Sequence, residues 1–123
     1  MKDNVIENAL HGLYSVHGNL IVSGFFWDGD SCNMHFETLP DRYMRISSDE
    51  TFEAFTETAV IDYSEDYKEY IDRINERYGT AWDREKRQLY IRFRRNEMSI
   101  TEALTRLHGA MMLVGALHWH LYA

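Results

Sequence analysis

The window "FFWDGDSCNMHFE", residues 25 to 37, brings Asp28, Asp30, Cys32, His35 and Glu37 into one short stretch. Carboxylates and an imidazole are the groups that hold a divalent metal or relay a proton, and His35 and Glu37, two apart, share a face if the stretch is a strand. On that chemistry Asp28, Asp30, His35 and Glu37 are the candidate catalytic residues of a metal-dependent hydrolase or nuclease. The spacing argues the other way. It matches no fixed ligand pattern such as H-E-x-x-H, and Glu37 is followed by Thr38 and Leu39 where an E-x-K nuclease pattern needs a lysine. Asp28-Gly29 readily supplies the positive φ values of a two-residue hairpin turn, and strand-like runs flank it. The preferred reading is an acidic hairpin tip that requires neither metal nor cofactor, with the catalytic reading as the alternative.

The other reactive side chains give less. Histidines stand at 11, 17, 35, 108, 118 and 120. Only His118 and His120 are close in sequence, and on a helix residues two apart point in different directions. Cys32 alternates with Met34 and Phe36, so it reads as a core residue rather than a nucleophile. No serine elbow, phosphate-binding loop, glycine-rich dinucleotide turn or paired C-x-x-C is present in the sequence. The chain therefore reads as non-enzymatic, with the acidic window as the one argument for an enzyme.

Charge divides the chain. The net charge is −7; residues 1 to 83 hold 17 acids against 6 bases, and residues 84 to 123 hold 7 bases against 3 acids. A surface of mostly negative sign repels nucleic acid, whose binding rests on neutralising phosphates, and favours a protein partner with a basic surface. One basic run resists this: Arg84, Lys86, Arg87, Arg92, Arg94 and Arg95, with Tyr90 among them. It reads as an edge strand guarded by outward charges and facing the acidic helices, or as a small phosphate-receiving face.

The elements that must position these groups follow from periodicity. Residues 3 to 11 read as a short amphipathic helix between Asp3 and Gly12, and 19 to 27 as a strand. Cys32, Met34 and Phe36 alternate with polar residues, as do Met44 and Ile46 beyond the Leu39-Pro40-Asp41 turn, giving a three-stranded meander. A capping box from Ser47 to Glu50 opens a helix carrying Phe52 and Phe55. From near Ser64, Tyr67, Ile71, Ile74 and Tyr78 form an apolar helical stripe ended by Gly79. Leu89, Ile91 and Phe93 alternate with Tyr90, Arg92 and Arg94 in a fourth strand. A second box, Ser99 to Glu102, opens a long last helix with Leu104, Leu107, Met111, Val114 and Leu117 on one face.

The sum is one α+β domain over residues 1 to 123: a small antiparallel sheet of about four strands, helices on one face and a long C-terminal helix. The start of the chain has no basic-then-apolar leader, and its lone cysteine allows no internal disulfide, so a cytoplasmic location is expected. Its longest apolar run, 109 to 117, is too short for the ~20 residues of a bilayer span, so no membrane partner is expected.

The segments "IVSGFFWDGDSCNMHFE", "RYMRISSDETFEAF", "INERYGTAWDREKRQLYIRFRR" and "ALTRLHGAMMLVGAL" together resemble, in order and spacing, the domain of unknown function 1828 family of small bacterial and phage domains. The likeness covers roughly residues 16 to 117. It departs where the family carries a glycine before Glu-Thr and this chain reads Ser48-Asp49-Glu50-Thr51. The resemblance implies a compact α+β domain of prokaryotic or phage origin and brings no catalytic residue.

These readings converge on a non-enzymatic protein-binding module of phage, prophage or mobile-element origin, an acidic inhibitor of a host or defence-system protein that binds nucleic acid. Its expected contacts are Glu50, Glu53, Glu57, Asp62, Glu65, Asp66, Glu69, Asp72 and Glu76. Tyrosines 63, 67, 70 and 78 fall in the same region, and tyrosine is common at protein contacts. Besides the hydrolase, a second alternative is an antitoxin-like or regulatory domain that forms homodimers through the last helix.

Overall fold

A computed structural model of the protein describes residues 14–27, 30–48 and 65–122. Strands β1 (Tyr14–His17), β2 (Leu20–Trp27), β3 (Asp30–Thr38) and β4 (Tyr43–Ser48) come first. Helix α1 (Glu65–Tyr78), strands β5 (Ala81–Asp83) and β6 (Gln88–Arg94) and helix α2 (Ile100–Tyr122) follow. Every strand pair is antiparallel, in one six-stranded sheet ordered β1-β2-β3-β4-β6-β5. The architecture is α+β. The four strands expected from alternation are β2, β3, β4 and β6, and β1 and β5 add a short strand at each edge. The helices expected over 3–11 and after Ser47 fall outside the described residues, although Ser47 itself remains in β4, paired with His35 and Tyr90.

Turn chemistry sets the register. Trp27 pairs with Asp30 where β2 meets β3, and the Asp28-Gly29 turn expected there lies outside the described residues. Gly18, at φ +64, turns β1 into β2 where a side chain would be strained. Between β3 and β4, Asp41 and Arg42 are both left-handed at φ 60 and 65, and the Tyr43 N–H closes the turn on the Pro40 carbonyl. The β5–β6 turn is held by Asp83, whose carboxylate accepts the Lys86 N–H at 3.1 Å.

One face of the sheet is apolar. Met34 and Phe36 of β3, Met44 and Ile46 of β4, and Leu89, Ile91 and Phe93 of β6 are all buried. Helix α2 lays Ile100, Ala103, Leu104, Leu107, Ala110, Met111 and Val114 on them, the i, i+3, i+4, i+7 spacing of one helical stripe. Its start is the expected capping box, with Glu102 N–H donating to Ser99 Oγ at 3.0 Å. Helix α1 packs on the same side through Ile71, with Ile74 and Tyr78 half-buried against the core. It ends at Gly79, φ +70, where the Thr80 N–H returns to the Asn75 carbonyl at 3.1 Å, a six-to-one closure that only a left-handed residue permits cheaply. Ser48, fully buried, accepts the Leu89 N–H on its hydroxyl at 3.1 Å and so carries the β4–β6 pairing one residue past Ser47. Among the described residues, no helix is long and apolar enough to cross a membrane.

Candidate functional site

With the helices on one face, alternation turns the remaining side chains of β4 and β6 to the other. These are Tyr43 and Arg45 on β4, and Tyr90, Arg92 and Arg94 on β6. Register then decides who meets whom. Tyr43 stands opposite Arg94, Arg45 opposite Arg92, and Ser47 opposite Tyr90. Two arginines directly across a sheet repel, a destabilising arrangement unless each has somewhere else to go. They separate along opposite diagonals. The Arg45 guanidinium lies over the Tyr90 ring at 4.2 Å from its centroid, and that of Arg92 over the Tyr43 ring at 4.1 Å. Arg94 reaches the same Tyr43 ring at 4.4 Å. Each such contact is worth about 0.5–1 kcal/mol at an exposed site, and together they fix five side chains in a lattice of planes.

The three arginines are not equally neutralised. Arg45 has Asp83 at 3.7 Å and the Gln88 side-chain oxygen at 3.4 Å. For Arg92 and Arg94 the structure gives ring contacts and no carboxylate among the described residues. The Nε of Arg94 is buried without an acceptor. Arg92 is exposed, and Tyr43, Tyr90 and Arg94 are half-buried.

This corrects one expectation. β6 is not an edge strand, because β5 lies outside it. Arg92 and Arg94 lie over the Tyr43 ring, and of the two acidic helices expected to face the strand, α1 sits on the opposite side with the core while the other lies outside the described residues. Tyr43 and Arg45, absent from the expected basic patch, supply two of the five side chains of the lattice.

Only part of the acidic window falls within the described residues. Asp28 and the side chains of Asp30 and Cys32 lie outside the described residues. His35 and Glu37 are neighbours on the open face of β3, with Glu37 beside Arg45 in register. Asp30 begins the same strand five residues before His35, a separation of roughly 17 Å at the usual rise. Among the described residues, no three His, Cys, Asp or Glu side chains converge on a point where a metal would sit.

The expected contact acids divide similarly. Glu50, Glu53, Glu57 and Asp62, and the side chains of Glu65 and Asp66, lie outside the described residues. Glu69, Asp72 and Glu76 are exposed on α1, and Glu69 accepts Arg73 at 2.6 Å on the open surface. Such a pair contributes about 0.3–0.5 kcal/mol and is screened by salt.

His108, on α2, is half-buried, and burial lowers its pKa below the ordinary 6.5. The unfolded chain therefore takes up a proton that the folded chain resists. His108 contributes stability that is present above 6.5 and lost as the pH falls through its lower folded value. Urea midpoints measured above and below 6.5 are expected to drop on the acid side, and His108→Gln is expected to flatten part of that drop; an equal drop in the variant would count against it.

An antiparallel sheet with helices on one face and a cation–ring lattice on the other defines a small α+β domain whose second sheet face no helix covers among the described residues. In comparisons with known proteins, no family model matches the chain, and no curated protein and no solved structure is similar enough to be a match.

Proposed function

We propose that this protein is a non-enzymatic protein-binding module whose acidic helix α1 occupies the basic cleft of a partner. In this reading it is an inhibitor of phage, prophage or mobile-element origin that acts on a host or defence-system protein that binds nucleic acid. The resemblance to the domain of unknown function 1828 family belongs to the same proposal. What supports it is the order of charges on α1. Glu69, Asp72 and Glu76 follow at i, i+3 and i+7, so by helical register they form one ridge on the side away from Ile71, Ile74 and Tyr78. Like charges at this spacing cost a few tenths of a kcal/mol per pair in the free protein. Glu69 is already answered by Arg73 within the helix, and a cationic partner adds to that neutralisation along the rest of the ridge. Tyr70, 53% exposed, lies about a third of a turn round the helix from the ridge and offers an amphipathic anchor of the kind enriched at interfaces.

The test is charge reversal. A triple variant, Glu69→Lys, Asp72→Lys and Glu76→Lys, is expected to keep its circular dichroism spectrum. It is also expected to lose affinity for a partner recovered with the wild-type chain by about 100-fold or more. The recovered partner is expected to release its nucleic acid when the wild-type chain binds. Equal binding by the folded triple variant would remove the proposal.

A further inference from the structure

We propose that the open face of the sheet is a second binding surface, and that its ligand is a short single-stranded nucleic acid tracking along β6. This does not rest on the acidic-ridge reading, since the two surfaces lie on opposite sides of the domain.

Three observations carry it. The first is the pair of guanidiniums, Arg92 and Arg94, brought to 4.1 and 4.4 Å from one tyrosine ring with no carboxylate on either among the described residues. Acids are plentiful in a chain of net charge −7, and among the described residues these cations are answered by a ring. A ring holds a guanidinium flat while leaving its outer N–H edge to a ligand, and Arg is the side chain whose planar fork suits phosphate.

The second is the alternation of planes. Tyr90 under Arg45, and Tyr43 under Arg92 and Arg94, make two stacked platforms side by side on a sheet. Nucleobases stack on aromatic rings and on arginine planes alike, whereas an acidic peptide has no use for the rings. The same feature favours nucleic acid over a carboxylate-rich partner.

The third is length. The turn before β6 contributes Lys86, and Arg95 follows its end, so cations stand at both ends of the strand as well as on it. Seven residues of strand span roughly 24 Å. That is room for about four nucleotides, the lower end of the site sizes seen on single-strand binding sheets. Duplex nucleic acid, with its bases already stacked on each other, cannot use the platforms.

The experiment is fluorescence anisotropy of a labelled oligothymidylate of about twelve nucleotides with the full-length protein at low salt. Binding is expected, weaker on a duplex of the same length, with a log–log salt slope of about −2 for roughly three neutralised phosphates. Tyr43→Ala and the pair Arg92→Gln, Arg94→Gln are each expected to weaken binding at least about tenfold while still folding and unfolding in one cooperative transition. Arg92→Lys, which keeps the charge and loses the plane, is expected to fall between wild type and Arg92→Gln. The triple lysine variant of α1 is expected to bind the oligonucleotide at least as well as wild type, which separates failure of this proposal from failure of the ridge reading. Absence of binding at low salt would overturn the proposal, as would binding indifferent to the arginine pair. So would displacement of the oligonucleotide by an equal concentration of a glutamate-rich peptide, which would assign the face to acidic protein instead.

Discussion

Leu107→Ala is expected to lower the free energy of unfolding by about 3 kcal/mol, while Met112→Ala, five residues along the same helix, changes it by less than about 0.5 kcal/mol. Leu107 is fully buried and Met112 is 42% exposed. The difference comes from the role of α2. Seven of the fifteen buried apolar side chains among the described residues lie on this helix, against Ile71 alone on α1. The sheet's apolar face, from Met34 across to Phe93, is therefore sealed chiefly by one stripe, and Leu107 stands at its middle. Truncation removes the transfer free energy of the lost methyl groups and leaves a cavity that the neighbouring β-branched side chains cannot readily fill. A domain of this size is stable by only about 5–15 kcal/mol, so a fifth or more of the margin would disappear. Urea unfolding of the two variants reads the difference directly. A cost at Leu107 below about 1 kcal/mol would mean that α2 does not seat on the sheet as described.

That stripe was legible in the sequence because it is long and periodic. Leu104, Leu107, Met111 and Val114 repeat at helical spacing behind a capping box, and the structure buries all four. The alternation in β3, β4 and β6 was legible for the same reason, since a face that is dry on one side leaves its period of two in the residues. β1 and β5 were not. Four and three residues are too few to show a period, and both form because a neighbour offers unpaired edge groups rather than through any pattern of their own. The neighbour order of the sheet was also out of reach. Nothing local in "QLYIRFR" says that "AWD" will close its outer edge, so β6 read as an edge when it is the fifth strand of six. The cation–ring lattice shows the same limit. Tyr43 and Arg45 meet Tyr90, Arg92 and Arg94 only because β4 pairs with β6 in one register. A signal did exist: both strands alternate aromatic and arginine on the outward phase, and asking which outward residues face each other would have found it.

Gly109 is expected to be a position where the sign of a mutation depends on a residue in another helix. A glycine inside a helix costs about 1 kcal/mol relative to alanine, so Gly109→Ala should stabilise an isolated α2. Here a Cβ at Gly109 would come within 2.7 Å of Tyr78 Cε1, 3.2 Å of Cδ1 and 3.3 Å of Cζ. The ring lies across the glycine and is held there, half-buried against the core, so it cannot simply swing into solvent. In the native chain Gly109→Ala is expected to destabilise by about 1 kcal/mol, the overpacking outweighing the propensity gain, and Gly109→Leu by about 3 kcal/mol. With Tyr78→Ala already in place the obstruction is gone, and Gly109→Ala should now stabilise by up to about 1 kcal/mol. The unfolding free energies of the four proteins then give a coupling of about 2 kcal/mol between residues on different helices, far above the few tenths expected of independent sites. Gly109→Ala stabilising equally in both backgrounds would show that α1 and α2 do not meet at this point. The contact bears on function as well, because α1 carries the acidic ridge and is fixed by Ile71, Ile74 and Tyr78 alone among its described side chains. Gly109→Leu therefore shifts the platform on which Glu69, Asp72 and Glu76 stand. It leaves the arginine–tyrosine lattice, on the far side of the sheet, in register, so the two binding surfaces should respond to it differently.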